Sequence, residues 1–212
     1  MSRFSCPLLL VFIGLIGCGS ENYAGTGRVT PPEADEFNGT LYATCKMRPS
    51  TKLPVGQPKV YGHVLFRQDG PEEELQVLFN LHGFPAVERR VRAIHIHQYG
   101  DLSDGCDATG GHYNPQGVAH PGHPGDFGNF LSRQGRVNQR ITARQGATLF
   151  GGLSVLGRAV VIHEKEDDLG RGGDAGSLLH GNAGRRLACC VIGISNQKLW
   201  ERTTHQQLRR RT

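Results

Sequence analysis

Apolar positions along this chain come in short runs rather than long stripes. KVYGHVLF (59–66), LQVLFNL (75–81), AIHIH (93–97), GRAVVIH (157–163) and LACCVIGI (187–194) are rich in Val, Ile, Leu and Phe, and clusters of Gly, Pro, Asn and Asp separate them. No long segment repeats its apolar positions with a period of 3.6. Short β-rich runs punctuated by turn residues predict an all-β sandwich or barrel. The composition agrees, with 30 glycines and 11 prolines for the turns and 37% hydrophobic residues for a core. A length of 212 residues fits one domain with appendages, or at most two small domains.

One run breaks the apolar pattern. In AIHIHQYGD (93–101), His95 and His97 are two residues apart, so in a strand both rings project from the same face. Imidazoles carry polar nitrogens that need partners, which is awkward in a core and natural for a pair of metal ligands. Alone, such a pair is weak evidence for a metal, because many such pairs are surface histidines. The segment that follows, GDLSDGCDATGGHYNPQGVAHPGHPGDFGN (100–129), is a long Gly- and Pro-rich loop holding His112, His120, His123 and Asp126. Loops of this length are uncommon in compact domains unless they are functional or disordered. Three histidines and a carboxylate match the ligand number of tetrahedral zinc, and a metal would order such a loop with few apolar contacts. His163, ending GRAVVIH, can face the same region. The other four of the ten histidines, His63, His82, His180 and His205, are read as structural or exposed.

The N-terminus has the pattern of a secretory signal over residues 1–20. Arg3 is a small basic start, Pro7 to Gly17 is an apolar stretch too short to span a bilayer, and Gly17, Gly19, Ser20 and Ala24 offer cleavage positions. LIGC (15–18) also fits a bacterial lipobox, in which case Cys18 would carry the lipid of an anchored enzyme. Removal of the signal takes Cys6 and Cys18 with it and leaves Cys45, Cys106, Cys189 and Cys190. An even number in an exported domain points to two disulfides. Cys189 and Cys190 are adjacent in a strand-like run and face opposite ways, so each needs a different partner from Cys45 and Cys106. Residues 21–39 read as a linker or assembly segment. Within them Asn38 begins an Asn-Gly-Thr sequon, a glycan acceptor if a eukaryote makes the protein.

The formal net charge of +5 is concentrated at the other end. Residues 196–212 hold Lys198, Arg202, Arg209, Arg210 and Arg211 against one carboxylate, Glu201. A terminal basic run is either a solvated end or a contact for an anionic partner. Nucleic acid is a poor candidate partner for an exported chain with no other basic patch in its sequence.

AIHIHQYGD, GCDATGGHYNP, HPGDFGN, GRAVVIHEKEDDLGRGG and GNAGRRLACCVIGI, taken in order, resemble the copper/zinc superoxide dismutase family over approximately Thr40 to Ile194. The resemblance implies an eight-stranded Greek-key β-barrel over residues 40–195, with a long metal-binding loop and a long electrostatic loop. It implies a copper site of His95, His97, His112 and His163, and a zinc site of His112, His120, His123 and Asp126, with His112 shared between the metals. Asp167 would hydrogen-bond the outer nitrogens of His95 and His120. Arg186 would attract the anionic substrate superoxide beside the copper, and His112 would carry a proton in the cycle that yields oxygen and hydrogen peroxide. The disulfides implied are Cys106–Cys189 and Cys45–Cys190.

The segment GGDAGSLLHG (172–181) departs from the pattern of intracellular relatives. It offers Asp174 and little other charge, with Leu178, Leu179 and His180 where polar residues are usual. A weaker dependence of rate on ionic strength is expected from it. The chain ends resemble the extracellular branch of the family, which has a signal peptide, an early cysteine, the double cysteine of LACC, and LWER leading into basic residues. By that resemblance the protein is secreted to the extracellular space and forms a homodimer or homotetramer. Its tail at 196–212 would bind heparan sulfate or similar matrix polyanions through Arg209, Arg210 and Arg211. The alternatives are a non-catalytic copper- or matrix-binding protein of the same fold, and a lipid-anchored bacterial dismutase. The ligand set is complete and no CxxC transfer motif is present, which favours the enzyme.

Overall fold

The computed structural model describes residues 39–87 and 90–209. The expected signal segment, Asn38, Arg210 and Arg211 lie outside the described residues, as does the 21–39 segment apart from Gly39.

Alternation of apolar and polar side chains generates the strands. In β2 (Tyr61–Gln68) Val64 and Phe66 are buried on one face, while His63 and Arg67 stand half-buried on the other. In β3 (Gln76–His82) Val77, Phe79 and Leu81 are buried, with half-buried Asn80 and exposed His82 on the other face. Facing side chains of β1 (Leu41–Pro49), chiefly Leu41, Ala43, Cys45 and Met47, complete this wall of the core. β4 (Val91–His97), β8 (Ala159–His163) and β9 (Arg186–Val191) are buried along nearly their whole length. Loops cover their outer face, which explains why their sequences read as continuous apolar runs.

Eight strands are paired antiparallel in the order β6 (Asp126–Leu131), β4, β8, β9, β1, β2, β3, β7 (Arg136–Thr142). The two ends of this path, β6 and β7, follow one another in sequence, so the barrel is nearly closed. Chain connections from β3 to β4 and from β7 to β8 cross between distant strands, as in a Greek key. β5 (Ser103–Cys106) is a short strand off the main path, and β10 (Gly193–Ser195) pairs with Tyr42 to Thr44 of β1. The apolar run 187–194 is thus two strands, parted at Ile192. The expected all-β, eight-stranded barrel is what the chain forms, with long loops at 98–125 and 164–185.

Both disulfides join elements of the barrel. Cys45 of β1 bonds Cys190 of β9, and Cys106 of β5 bonds Cys189. The Cys45–Cys190 link closes a separation of 145 residues. Constraint of the unfolded chain by so long a loop is large, so replacing both cysteines by alanine is expected to cost about 2–5 kcal/mol. Urea denaturation of the two proteins measures this directly, and equal midpoints would contradict it.

α2 (Gln197–Arg209) is a helix that the pattern of the sequence does not announce. It packs on the outside of the barrel through Trp200, which clusters with Tyr42, Leu65 and Leu78, and through partly buried Leu199. Thr203 is buried beneath it, and the Arg140 guanidinium lies 5.0 Å from the Trp200 ring. The basic end of the chain is therefore helical and docked as far as Arg209. Among the described residues no helix is long and apolar enough to cross a membrane.

Candidate metal centre

Local structure brings the six singled-out histidines to one place. His95 and His97 leave the same face of β4, and His163 ends the paired strand β8, where a bulge turns the chain. The loop after β5 returns to β4, where His112 forms an isolated bridge with His97 and the Tyr113 N–H donates to Ile96 O at 2.9 Å. Asp126 opens β6 opposite His95. His120 and His123 sit on the turn just before it, and Gly125 lets that turn press against Ile96, where any Cβ would come within 2.7 Å of Ile96 carbons.

Among the described residues two groups of potential ligand atoms result, each with its atoms within 4.8 Å of one another. One is His95, His97, His112 and His163. The other is His112, His120, His123 and Asp126. His112 belongs to both.

The protonation pattern shows what these groups fit. His97 donates from Nδ1 to Gly110 O (2.9 Å) and His163 from Nδ1 to Gly184 O (3.2 Å). Their Nε2 atoms, left with lone pairs when neutral, face each other at 3.2 Å. Burial pushes both rings well below the usual imidazole range, and neighbouring histidines add to the effect, so neither readily takes the proton that would relieve this opposition. A cation between them would. His95 donates from Nε2 to Asp167 (2.9 Å), and its Nδ1 is buried without a partner.

In the second group the Nδ1 atoms of His112, His120 and His123 stand 3.0, 3.0 and 3.1 Å from Asp126 oxygens. Nδ1 of His120 and of His123 makes no hydrogen bond there despite the distance. Ligands of tetrahedral zinc, about 2.0–2.1 Å from the ion, would lie roughly 3.3 Å apart. Four donors converging at this spacing are the set zinc takes. Nε2 of His112, buried and unpartnered, points to the first group.

Asp167 ties the groups together. It accepts from His95 Nε2 on Oδ2 and from His120 Nε2 on Oδ1 (2.8 Å). Burial would raise the Asp167 carboxyl, but these bonds and the Leu169 N–H outweigh it and hold the group well below the usual carboxylate range. Asp126 is lowered likewise by its three histidines against burial. Burial also opposes charge on His120, yet its two carboxylates hold that ring up at about 9. Metal binding at Nδ1 would displace this proton. Gly181, in the left-handed conformation at the end of α1 (Ala175–His180), passes directly over the pair, where a Cβ would overlap Asp167 Oδ1.

Two residues that sequence reasoning missed hold this frame. Asn129 of β6 clamps the Asp167 backbone, accepting from its N–H and donating to its O, both at 2.8 Å. Thr109, fully buried, accepts from Arg186 Nη1 at 2.9 Å. The same nitrogen donates to Cys106 O (2.9 Å), so the Cys106–Cys189 link fixes a carbonyl that positions Arg186. Arg185, by contrast, is exposed and paired with Glu164 at 3.6 Å.

A cavity of about 780 Å³ opens onto the first group. His97, His112, His163 and Arg186 are in its wall, Val118, Leu178 and Leu179 border it, and among the described residues no carboxylate lines it. Leu178 and Leu179 are 56% and 66% exposed. Asp174 does not reach the cavity wall; it caps α1 by accepting from Ser177 N–H at 2.9 Å.

These rings set the pH response of the metal-free protein. His97 and His163 are lowered, and burial lowers His112 to about 4. The unfolded chain protonates such rings near pH 6.5. Their contribution to stability is complete above that pH and is lost as pH falls. The raised His120 contributes fully below about 6.5 and loses its contribution as pH rises through about 9. With three rings against one, the denaturation midpoint of the metal-free protein is expected to drop between pH 7 and pH 5. A flat or rising midpoint would contradict this.

A model of the copper/zinc superoxide dismutase (SODC) family matches residues 60–192. The chain belongs to the copper/zinc superoxide dismutase family. It is an enzyme of that family, and copper and zinc are its metals. The extracellular copper–zinc superoxide dismutase of Rattus norvegicus is 54% identical over 174 residues, covering 81% of this chain and 70% of that protein. The extracellular enzyme of Homo sapiens is 53% identical over 175 residues, covering 82% and 72%. The copper–zinc superoxide dismutase of Kluyveromyces lactis is 40% identical over 147 residues, covering 66% of this chain and 94% of that protein.

Proposed function

We propose that this chain disproportionates superoxide outside the cell, with copper held by His95, His97, His112 and His163 and zinc by His112, His120, His123 and Asp126. The observation that carries the reading is the sharing of His112 between two convergent ligand groups, one of which floors an open cavity beside Arg186. The all-imidazole group at the cavity suits copper, and the buried group with a carboxylate suits zinc. Copper supplies a reversible one-electron sink, while zinc is redox-inert.

The chain's own residues do the rest. One superoxide gives up an electron and leaves as oxygen. A second accepts that electron with two protons and leaves as hydrogen peroxide. Arg186 holds each anion in turn, its guanidinium fixed by Cys106, Asp107 and Thr109. His112 Nε2, turned toward the cavity group, is the atom placed to carry one of the two protons. Among the described residues, Arg186 is the one Lys or Arg in the cavity wall. Arg186→Gln is therefore expected to lower kcat/KM by about tenfold or more and to flatten its salt dependence. Arg185→Gln should leave both nearly unchanged. Pulse radiolysis at several ionic strengths checks this, and a residual slope equal to that of the unaltered protein would contradict it.

Placement outside the cell is supported by two disulfides, by the signal-like pattern of residues 1–20 and by the similarity to enzymes named extracellular. Residues 40–195 would be the dismutase domain, 21–39 a linker or assembly segment and 196–212 the basic end, in a homodimer or homotetramer with a glycan at Asn38. Arg209, Arg210 and Arg211 would bind heparan sulfate. The test is expression in secreting cells, with N-terminal sequencing, superoxide decay and heparin elution of the product beside a version ending at Gln207. A mature start past residue 20, rapid decay and lower-salt elution on truncation are expected. Retention in the cell with residues 1–20 intact would overturn the placement, equal elution the role of the arginines, and no decay with both metals bound the activity.

A further inference from the structure

The outward faces of β1, β2, β3 and β7 carry two adjoining rows of polar side chains beside α2. Register places Lys46, His63, Asn80 and Asn138 side by side across the four strands. The next row holds Tyr61, His82 and Arg136, and Arg48 joins it from the same face of β1, two residues past Lys46. On the other side, Leu65, Leu78 and Arg140 lie under or against α2, whose Trp200 covers them. The helix thus forms a step along one margin of the rows. Arg202 stands on it, close enough that Arg202, Lys46 and Arg48, after burial, help to push the His63 ring below its usual range.

No carboxylate stands in either row. Asp69 and Glu72 to Glu74 occupy the turn at the far end of β2 and β3, about 20 Å along the strands. Lys46, Arg48, Arg136 and Arg202 are exposed, and none has a carboxylate partner among the described residues. From Arg48 to Arg136 the cations span three strand spacings, about 14 Å. A small anion would reach one of them at a time, whereas a polymer of repeating anions reaches all. Guanidinium groups pair well with sulfates, and the Asn80 and Asn138 amides can bond hydroxyls. The Tyr61 and His82 rings, stacked with centroids 6.1 Å apart, offer an aromatic surface for sugar C–H groups. The rows hold no exposed large apolar side chain of the kind a bilayer would take up.

We propose that this face is a binding site for a linear sulfated polysaccharide, formed by the barrel itself and separate from the terminal arginine run. It rests on the matrix-binding reading for its ligand class but not for its residues. The test measures affinity for heparin against salt with the metal-loaded full chain, Arg48→Gln/Arg136→Gln, the version ending at Gln207, and the two changes combined. Each lost contact should lower the slope of log affinity against log salt by about one, so the double variant should lose about two, with or without the terminus, at unchanged dismutase rate. An unchanged slope would overturn the face site while truncation still reports on the terminal arginines. A drop from the double variant alone would leave the face site standing and remove the arginine run. Arg144→Gln/Arg171→Gln, charges away from the rows, should have no comparable effect, and an equal effect would reduce the result to net charge and overturn the proposal. Tighter binding at equal salt to duplex DNA, or to phosphatidylserine-containing vesicles, would overturn the assignment of the ligand.

Discussion

The His112→Ala variant is expected to lose dismutation and to bind both metals poorly. It is the one residue in both ligand groups, with Nδ1 3.0 Å from Asp126 and Nε2 directed at the cavity group. Removing any other ligand weakens one site, but removing this one leaves each site with three donors and uncouples them. The loss should exceed the about 10–100-fold that follows when only a hydrogen-bond partner behind a ligand is removed. Metal content after dialysis, measured beside the rate of superoxide decay, checks both halves. A variant that keeps one copper and one zinc per chain with undiminished activity would show that His112 is not shared.

Asp167→Asn should also impair metal binding, although Asp167 belongs to neither ligand group. Its two oxygens each accept an N–H, from His95 and from His120. An amide keeps the shape but presents one acceptor and one donor, so one imidazole must face a donor with its own N–H. That ring turns or changes tautomer, and its ligating nitrogen is then protonated or misdirected. Affinity for the metal on that side is expected to fall by about 10–100-fold, read by competition with a chelator. The metal-free His120 should also lose much of what holds its ring up at about 9, which a histidine titration by NMR would show. Unaltered affinity together with an unaltered His120 titration would remove Asp167 from the frame.

The two clusters of candidate ligands were legible in the sequence because chemistry concentrates in residue type and spacing. Imidazoles at 95 and 97 must share a strand face, and a loop with His112, His120, His123 and Asp126 has few other uses for them. The strands were legible as short runs of Val, Ile, Leu and Phe closed off by turn residues, as in KVYGHVLF (59–66), which holds most of β2. What stayed hidden acts through contacts between distant positions. Asn129 reads as an ordinary strand residue until its amide is seen on Asp167, 38 residues away. Thr109 shows its purpose only beside Arg186, 77 residues on. Helix α2 escaped because its inner face is only partly apolar. Thr203 and Gln207 follow Leu199 and Trp200 at helical spacing, with Gln207 donating to Phe79 O at 3.4 Å, so no hydrophobic stripe marks the helix. The basic rows beside it were invisible for a related reason. Lys46 and Arg48 lie on β1 and Arg136 on β7, nearly 90 residues apart, and only strand register gathers them.

The shared imidazole is the claim on which the rest depends. The most direct test is to add zinc and then copper to the metal-free protein while recording the copper electron paramagnetic resonance spectrum and the metal bound per chain. One copper and one zinc per chain are predicted, with a copper spectrum that differs between zinc-free and zinc-loaded protein and no such difference in His112→Ala. A copper spectrum indifferent to zinc in the unaltered protein would contradict a ligand common to both sites.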